Sequence, residues 1–509
     1  MDTSRVTNFS HTSLHRETLQ RFGLLSGLEM MQQRMLPLLR RVAPFISGHG
    51  TRAISTIPTQ NVITAMTERG LIQAITSPHL TERTQSPTTV YCGVDPTAPS
   101  LHIGNLVTLL GLLHFHVRGH QVIALLGGAT GTIGDPSGRR TERVPLSPET
   151  LQHNIARIEA QLHRFFKNGE EYFRARGGNP GVIRQPWILN NAEWYRSMGV
   201  LDFLGDIGRF MRVGNMLAKE SVKSRMESTQ GISFTEFSYQ LLQAYDFWHL
   251  YHEKGCQVQL GGSDQWGNIT AGIDLISKKK PADALSLSPE APDEESEAAA
   301  FGFTIPLLTT STGEKFGKSA GNAIWVDEKM TSYYDFYQFF MRAADADVEK
   351  YIRYFTFLPM ETVAEVMQEH RASPEHRIAQ RLLADEACEL VHGKEGVAKA
   401  RLATEVLFGS SLEKVRGTDL VAAFEHDQRM ISLPADQVIG QEVGRVAVLA
   451  GACRSRSEAQ KLVRANGFYL NNRRVEDPMH RLSSEDLVDG MVCVLRTGKA
   501  EYRLVRMTC

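Results

Sequence analysis

The stretch Thr88-Thr89-Val90-Tyr91-Cys92-Gly93-Val94-Asp95-Pro96 is followed by Leu101-His102-Ile103-Gly104-Asn105-Leu106-Val107-Thr108-Leu109-Leu110 and then by Gln121-Val122-Ile123-Ala124-Leu125-Leu126-Gly127-Gly128, and these three pieces decide the fold. The first is β-branched and aromatic and closes on Asp-Pro, which predicts a short strand. The second stays largely apolar to Val117 and stops at Arg118-Gly119-His120, a helix with glycine at its end. The third is an unbroken apolar run ending in a Gly-rich loop, the pattern of a strand buried on both faces. Strand, helix and strand at this spacing make a βαβ unit, with a right-handed crossover and parallel strands.

Outward from this unit the alternation continues. A helix is expected around Ser147 to Phe166, a strand at Ile188-Leu189, a helix from Phe234 to Glu253 and a strand at Cys256 to Leu260 that ends on Gly261-Gly262. The fold class is therefore α/β, a doubly wound parallel sheet whose ligands should sit at the carboxyl ends of the strands. Residues 278–300 hold three prolines and an acidic run and are expected to be a solvated insertion. From Tyr333 to about Phe408 the spacing is helical, and Gly417 to Ala435 reads as a connector. The last block mixes a helix (Ser457 to Asn466) with short strands, and between Arg445 and Arg474 it carries Arg454, Arg456, Lys461, Arg464 and Arg473 against Glu458 alone. The expected organisation is 1–60 ahead of the folded part, 61–332 as a Rossmann-like domain, 333–425 as a helical domain and 436–509 as a small basic α+β domain.

A length of 509 residues fits about three folding units. With 42% apolar and 22% charged residues the chain can fill real cores, which excludes global disorder. Lys and Arg number 56 against 57 Asp and Glu, so any site for a polyanion has to be local. No apolar run approaches the roughly 18–20 residues that cross a bilayer, so a soluble protein without membrane partners is expected. Six scattered cysteines without a Cys-x-x-Cys pair suit isolated thiols in a reducing compartment. Between Met30 and Thr67 there is no acidic residue, while Arg34, Arg40, Arg41 and Arg52 are interspersed with Leu, Ser and Thr, the composition of an organelle presequence. Asp2, Glu17 and Glu29 ahead of it are atypical, which makes Met30 or Met31 a candidate start.

Two motifs carry chemistry. Asp95 to Asn105 joins a strand to a helix start, where unpaired N–H groups and the dipole favour phosphate; His102 reads there either as a phosphate donor or as a helix cap. Lys315-Phe316-Gly317-Lys318-Ser319 places two cations on a loop, as a reaction that expels pyrophosphate requires.

Together these motifs resemble those of class I aminoacyl-tRNA synthetases, and within them tyrosyl-tRNA synthetases of the bacterial and mitochondrial type. The resemblance rests on Tyr91 to Thr97, Leu101-His102-Ile103-Gly104, Gly134-Asp135-Pro136-Ser137-Gly138, Phe234-Thr235-Glu236-Phe237-Ser238-Tyr239, Gln243-Ala244-Tyr245-Asp246 and Gly261-Gly262-Ser263-Asp264-Gln265-Trp266-Gly267-Asn268. It implies that Tyr91 and Asp246 hydrogen-bond the substrate phenol. It implies further that Asp135, Tyr239 and Gln243 hold the ammonium group, and that Gln259 and Gln265 lie along the other side of the amino acid. Gly93, Asp95, Gly104, Asn105, Gly262 and Asp264 would line ATP, with Thr97, His102, Lys315 and Lys318 meeting the phosphates in the transition state. The implied substrates are L-tyrosine, ATP with Mg²⁺ and tRNA(Tyr), with no metal ligands supplied by the protein, in a homodimer of the mitochondrial matrix.

The departures are specific. Asn105 stands where the class signature usually has His, and Phe316-Gly317 replace the middle of the usual Lys-Met-Ser-Lys-Ser. Arg139-Arg140, with Arg143 nearby, stand where relatives often carry Lys. Cys453 to Ala459 and Gly467 to Asn472 resemble the RNA-binding module named for ribosomal protein S four, which implies phosphate contacts from a basic helix. Tryptophanyl-tRNA synthetases share the sheet and both signatures, and the Tyr91/Asp246 pair argues for tyrosine over tryptophan.

Overall fold

The computed structural model describes residues 60–138, 141–178, 183–287, 299–313, 323–408, 411–498 and 501–508. Pro58–Arg174 and Asn179–Cys509 make up one compact unit, which is the one described below. The sheet that organises its first part has strands β1 (Ala74–Ile75), β2 (Thr89–Val94), β3 (Gln121–Leu126), β4 (Trp187–Asn190), β5 (Cys256–Gly262) and β6 (Phe301–Ile305) in the order β1-β6-β5-β2-β3-β4. Every pairing is parallel except β1 with β6. All six residues of β3 are buried, as a strand covered on both faces demands. Order reverses between β2 and β5, so a crevice opens beyond Val94 and Gly262 at this switch point.

The longer helices are α1 (Ile103–His116), α2 (Pro148–Ala175), α3 (Phe234–Lys254) and α4 (Trp266–Leu287), followed by α5 (Tyr333–Met341), α6 (Asp345–Phe355), α7 (Met360–Ala372), α8 (Ile378–Leu407) and α9 (Arg456–Arg464). The strand and helix expectations around the βαβ unit are met. Three others need correction. Helix α2 runs nine residues past Phe166 because Gly169 is no breaker there: it is buried against Leu113, where a β-carbon would come within 2.6 Å of a leucine methyl.

The insertion expected at 278–300 is helical over its first part. Helix α4 continues to Leu287, and Lys279, buried rather than solvated, is paired with Asp206 at 2.6 Å and lies over the Trp248 ring. Ala300 at its other end is buried as well, and residues 288–298 lie outside the described residues, as does the expected presequence up to residue 59.

The expected connector from Gly417 to Ala435 contains a helix, Gly417–Ala423, and a strand, β7 (Met430–Pro434). That strand pairs in parallel with β11 (Glu501–Thr508), so the C-terminal sheet begins before residue 436. Its order is β7-β11-β10-β8-β9, with β8 Phe468–Leu470, β9 Arg473–Arg474 and β10 Val492–Thr497.

Candidate active site

A cavity of about 850 Å³ opens at the carboxyl ends of β2, β3 and β5. All the predicted site residues that the structure describes line it: Tyr91, Gly93, Asp95, Thr97, His102, Gly104, Asn105, Asp135, Tyr239, Gln243, Asp246, Gln259, Gly262, Asp264 and Gln265. Lys315 and Lys318 lie outside the described residues, as do Arg139 and Arg140.

Among the lining residues Asp246, on α3, is 3% exposed. Its carboxylate accepts hydrogen bonds from Asn191 Nδ2 at 3.0 Å and Trp194 Nε1 at 2.9 Å. Burial pushes its carboxyl up to about 7, against the opposing pull of these donors. Beside it Tyr91, on β2, is fully buried, and its hydroxyl finds no hydrogen-bond partner among the described residues. Burial and then the neighbouring Asp246 raise the Tyr91 phenol, so it stays a donor. Gln243 Oε1 and Gln259 Oε1 are also buried without partners. Such groups cost about 1–3 kcal/mol each when unsatisfied, so their convergence on one cavity marks a place shaped for a polar ligand.

Asp135 accepts from Gln265 Nε2 at 2.7 Å and from the Ser137 backbone N–H at 2.9 Å. The Tyr239 hydroxyl reaches the Asp95 carboxylate, at 3.4 Å to one oxygen, rather than Asp135. Asp95 also accepts from Thr130 at 3.3 Å and pairs with Arg143 at 3.2 Å. Burial raises its carboxyl, and Arg143 works in the other direction. A β-carbon at Gly93 would meet no atom within 4 Å, so that glycine leaves the space beside β2 open, whereas a β-carbon at Gly127 would lie 2.4 Å from Asp95 Oδ1 and push that carboxylate aside.

At the start of α1, His102 takes the cap role: its Nδ1 accepts from the Gly104 N–H at 3.1 Å, and Asn105 Oδ1 accepts from the His102 N–H at 3.1 Å. The asparagine that departs from the class signature therefore completes a capping box.

Asn191, Trp194, Thr130 and Arg143 belong to the same constellation but were not among the predicted site residues. Asn191 and Trp194 follow β4, and only the β3–β4 pairing (Leu126 with Asn190) brings them to the base of the cavity. Their one legible signal was a position just past a strand's carboxyl end.

The cavity thus gathers a buried carboxylate and an unsatisfied hydroxyl at Asp246 and Tyr91, a second carboxylate at Asp135, and a helix start. Residues 83–409 match the class I tRNA synthetases (W and Y), and the chain belongs to that class. Residues 426–505 match the SYY-like C-terminal domain of tyrosine–tRNA ligases. A chloroplastic/mitochondrial tyrosine–tRNA ligase of Arabidopsis thaliana is 43% identical over 454 residues, 88% of this chain and 84% of that one. The mitochondrial enzyme of Saccharomyces cerevisiae is 38% identical over 497 residues, 92% of this chain and 97% of the other. A crystal structure of a C-terminally truncated Aspergillus nidulans mitochondrial tyrosyl-tRNA synthetase matches with a TM-score of 0.62 at 35% identity, covering 75% of this chain and all of that one. Within the class, the chain belongs to the tyrosine–tRNA ligase family.

Proposed function

We propose that this protein activates L-tyrosine with ATP and transfers it to the 3′ end of tRNA(Tyr) for organellar translation. The observation that carries the reading is the buried Asp246 carboxylate beside the unsatisfied Tyr91 hydroxyl. Asp246 accepts the substrate phenol proton and Tyr91 donates to the phenol oxygen. Phenylalanine would leave both groups buried and unpaired; rejection on the order of 10⁴–10⁵ is the established figure for tyrosine-selecting sites of this kind rather than one deduced from these distances.

Asp135 supplies the counter-charge for the ammonium group, with Tyr239 and Gln243 fixing its direction. Gln259 and Gln265 flank the carboxylate. ATP, entering as its magnesium complex, lies along Gly93, Asp95, Gly104, Asn105, Gly262 and Asp264. The tyrosine carboxylate attacks the α-phosphorus and pyrophosphate leaves; a terminal ribose hydroxyl of the tRNA then attacks the carbonyl carbon and AMP leaves. Alignment and charge stabilisation supply the acceleration, with Thr97, His102, Lys315 and Lys318 meeting the departing phosphates.

The exposed Arg454, Arg456, Lys461 and Arg464 around α9 suit tRNA phosphates, and residues 333–425 face the anticodon arm. Exposed apolar side chains on successive short helices and at the start of α3 (Val200, Leu201, Val213, Phe234) support a homodimer; sedimentation as a single chain would overturn it. The organellar names of the relatives and the basic N-terminal segment support the mitochondrial matrix.

Exchange of labelled pyrophosphate into ATP, run with tyrosine, phenylalanine and tryptophan, tests the reading. Tyrosine alone should drive exchange, and Asp246→Ala should abolish it while tRNA binding persists. Exchange driven by tryptophan, or unchanged in Asp246→Ala, refutes the assignment.

A further inference from the structure

Helix α3 carries Glu236, Tyr239, Gln243 and Asp246 at spacings of three, four and three residues, one stripe of a 3.6-residue helix. The last three line the cavity; Glu236 does not. It is buried and forked by Arg225, whose Nε and Nη2 each donate to a different carboxylate oxygen at 2.8 Å. Both side chains are almost wholly buried, at 1% and 4% exposure. The third guanidinium nitrogen donates to Ser228 at 2.8 Å, which closes the turn after the short helix Glu220–Met226.

Within one chain the fork stands where α3 has no other deep anchor. Its buried aliphatic and purely apolar side chains, Leu241, Ala244, Phe247 and Leu250, all come after Tyr239, while Phe234 is exposed. The first two turns are instead held by polar contacts. The Ser233 hydroxyl caps the Glu236 N–H at 3.2 Å and donates to Glu142 at 2.7 Å, and Arg225 grips the Glu236 side chain. Tyr239 lies one turn beyond this clamp, whereas Asp246 lies within the apolar part.

We propose that Arg225 is a positioning residue for the amino-acid substrate: through Glu236 it sets the rotation and height of the first turns of α3 and so places Tyr239 against the ammonium end of tyrosine. The inference rests on the tyrosine-site reading above. Because a planar fork fixes orientation as well as charge, lysine is not an equivalent. The phenol end, held through Phe247 and the Asp246 partners Asn191 and Trp194, is independent of it.

The test is steady-state exchange with Arg225→Lys and with the paired change Arg225→Met/Glu236→Met, which removes both buried charges and so avoids stranding one of them. Both should raise the KM for tyrosine roughly 10- to 100-fold, the range of an ångström-scale misplacement. The KM for ATP should change less than about twofold, and preference for tyrosine over phenylalanine should persist. If the pair serves stability alone, the Met/Met protein regains the tyrosine KM of the unaltered protein as soon as its melting midpoint is restored, and the proposal falls. It falls equally if Arg225→Lys leaves the tyrosine KM unchanged. Should Arg225→Lys not fold, the Met/Met protein decides. Should the unaltered protein not activate tyrosine at all, the underlying site reading fails, and that outcome is seen before any variant is made.

Discussion

In the proposed reading, Asp246 is the residue on which both selectivity and pH response turn. Its carboxyl is pushed to about 7 by burial, so the folded protein holds a proton between about pH 4 and 7 that the unfolded chain has released. Across that window stability declines as pH rises, because the unfolded chain binds fewer protons than the native one. The charged form is the better acceptor for a phenol proton, so kcat/KM for tyrosine should rise with pH through about 7. Trp194 donates to that charged form at 2.9 Å. Trp194→Phe keeps a ring against His249, which stacks on Trp194 at 4.3 Å, but removes the donor. A hydrogen bond to a charged group contributes about 1.5–3 kcal/mol, so the acid limb of the kcat/KM profile should move up by about one unit or more. Activity at pH 9 should change little, and a limb that stays in place would exclude Asp246 as the titrating group. The lining of the cavity was legible in the sequence where a residue lies inside a contiguous motif, as Tyr91, Asp135 and Asp246 do. Trp194 and Asn191 were not, because no local pattern marks them and only strand pairing delivers them. The Tyr239 contact with Asp95 depends on how α3 lies across β2, which spacing cannot express.

Among the elements, those with a long apolar or amphipathic run were readable: β2, α1, β3, α3 and β5 lie where periodicity places them. What escaped was decided by partners. The two-residue β1 exists only through its antiparallel pairing with β6, and β7 was hidden in a stretch that looked like a connector because β11 supplies its register. Helix α4 runs into the stretch expected to be a solvated insertion because Asp206 and the Trp248 ring give Lys279 a buried place. Helix α8 holds a different surprise, a break at Gly393 with φ 72° and ψ −179°. Just before it, Asn168 Nδ2 from α2 donates to the Val391 carbonyl at 2.7 Å, and His392 packs edge-on against Tyr333 and Phe336. Space is not what requires glycine, since a β-carbon there would approach no atom closer than 3.8 Å. The backbone conformation is the obstacle, lying in a region only glycine occupies readily. Gly393→Ala should therefore destabilise the protein by about 1–3 kcal/mol, read as a lower denaturation midpoint; an unchanged midpoint would mean that α8 can straighten without loss.

For the whole molecule, the formal charge of −1 conceals an uneven distribution, with a basic surface gathered around α9 on the last sheet. How firmly that surface is held follows from the packing beneath it. Tyr334 on α5 and Ala403, Val406 and Leu407 on α8 form one apolar cluster with Leu420 and Phe424 and with Val492, Val494, Tyr502 and Leu504 of β10 and β11. Polar contacts surround it: Arg429 pairs with Asp335 at 3.0 Å and lies over the Tyr334 ring, and Asn472 donates to the Val406 carbonyl at 3.0 Å. A module joined by a linker alone would share no core with its neighbour and would unfold in its own transition. Here the helices of 333–408 and the last sheet bury the same side chains, so each loses part of its interior when the other opens. Leu504→Ala, at a fully buried position of β11, should cost about 2–5 kcal/mol through lost burial and the cavity left behind. In calorimetry that loss should lower the melting of the helical segment together with that of the sheet, as one shifted transition. If instead a transition assigned to the helices stays at its original temperature while a smaller one moves down, the last sheet is an independent module and the cluster is only a docking contact.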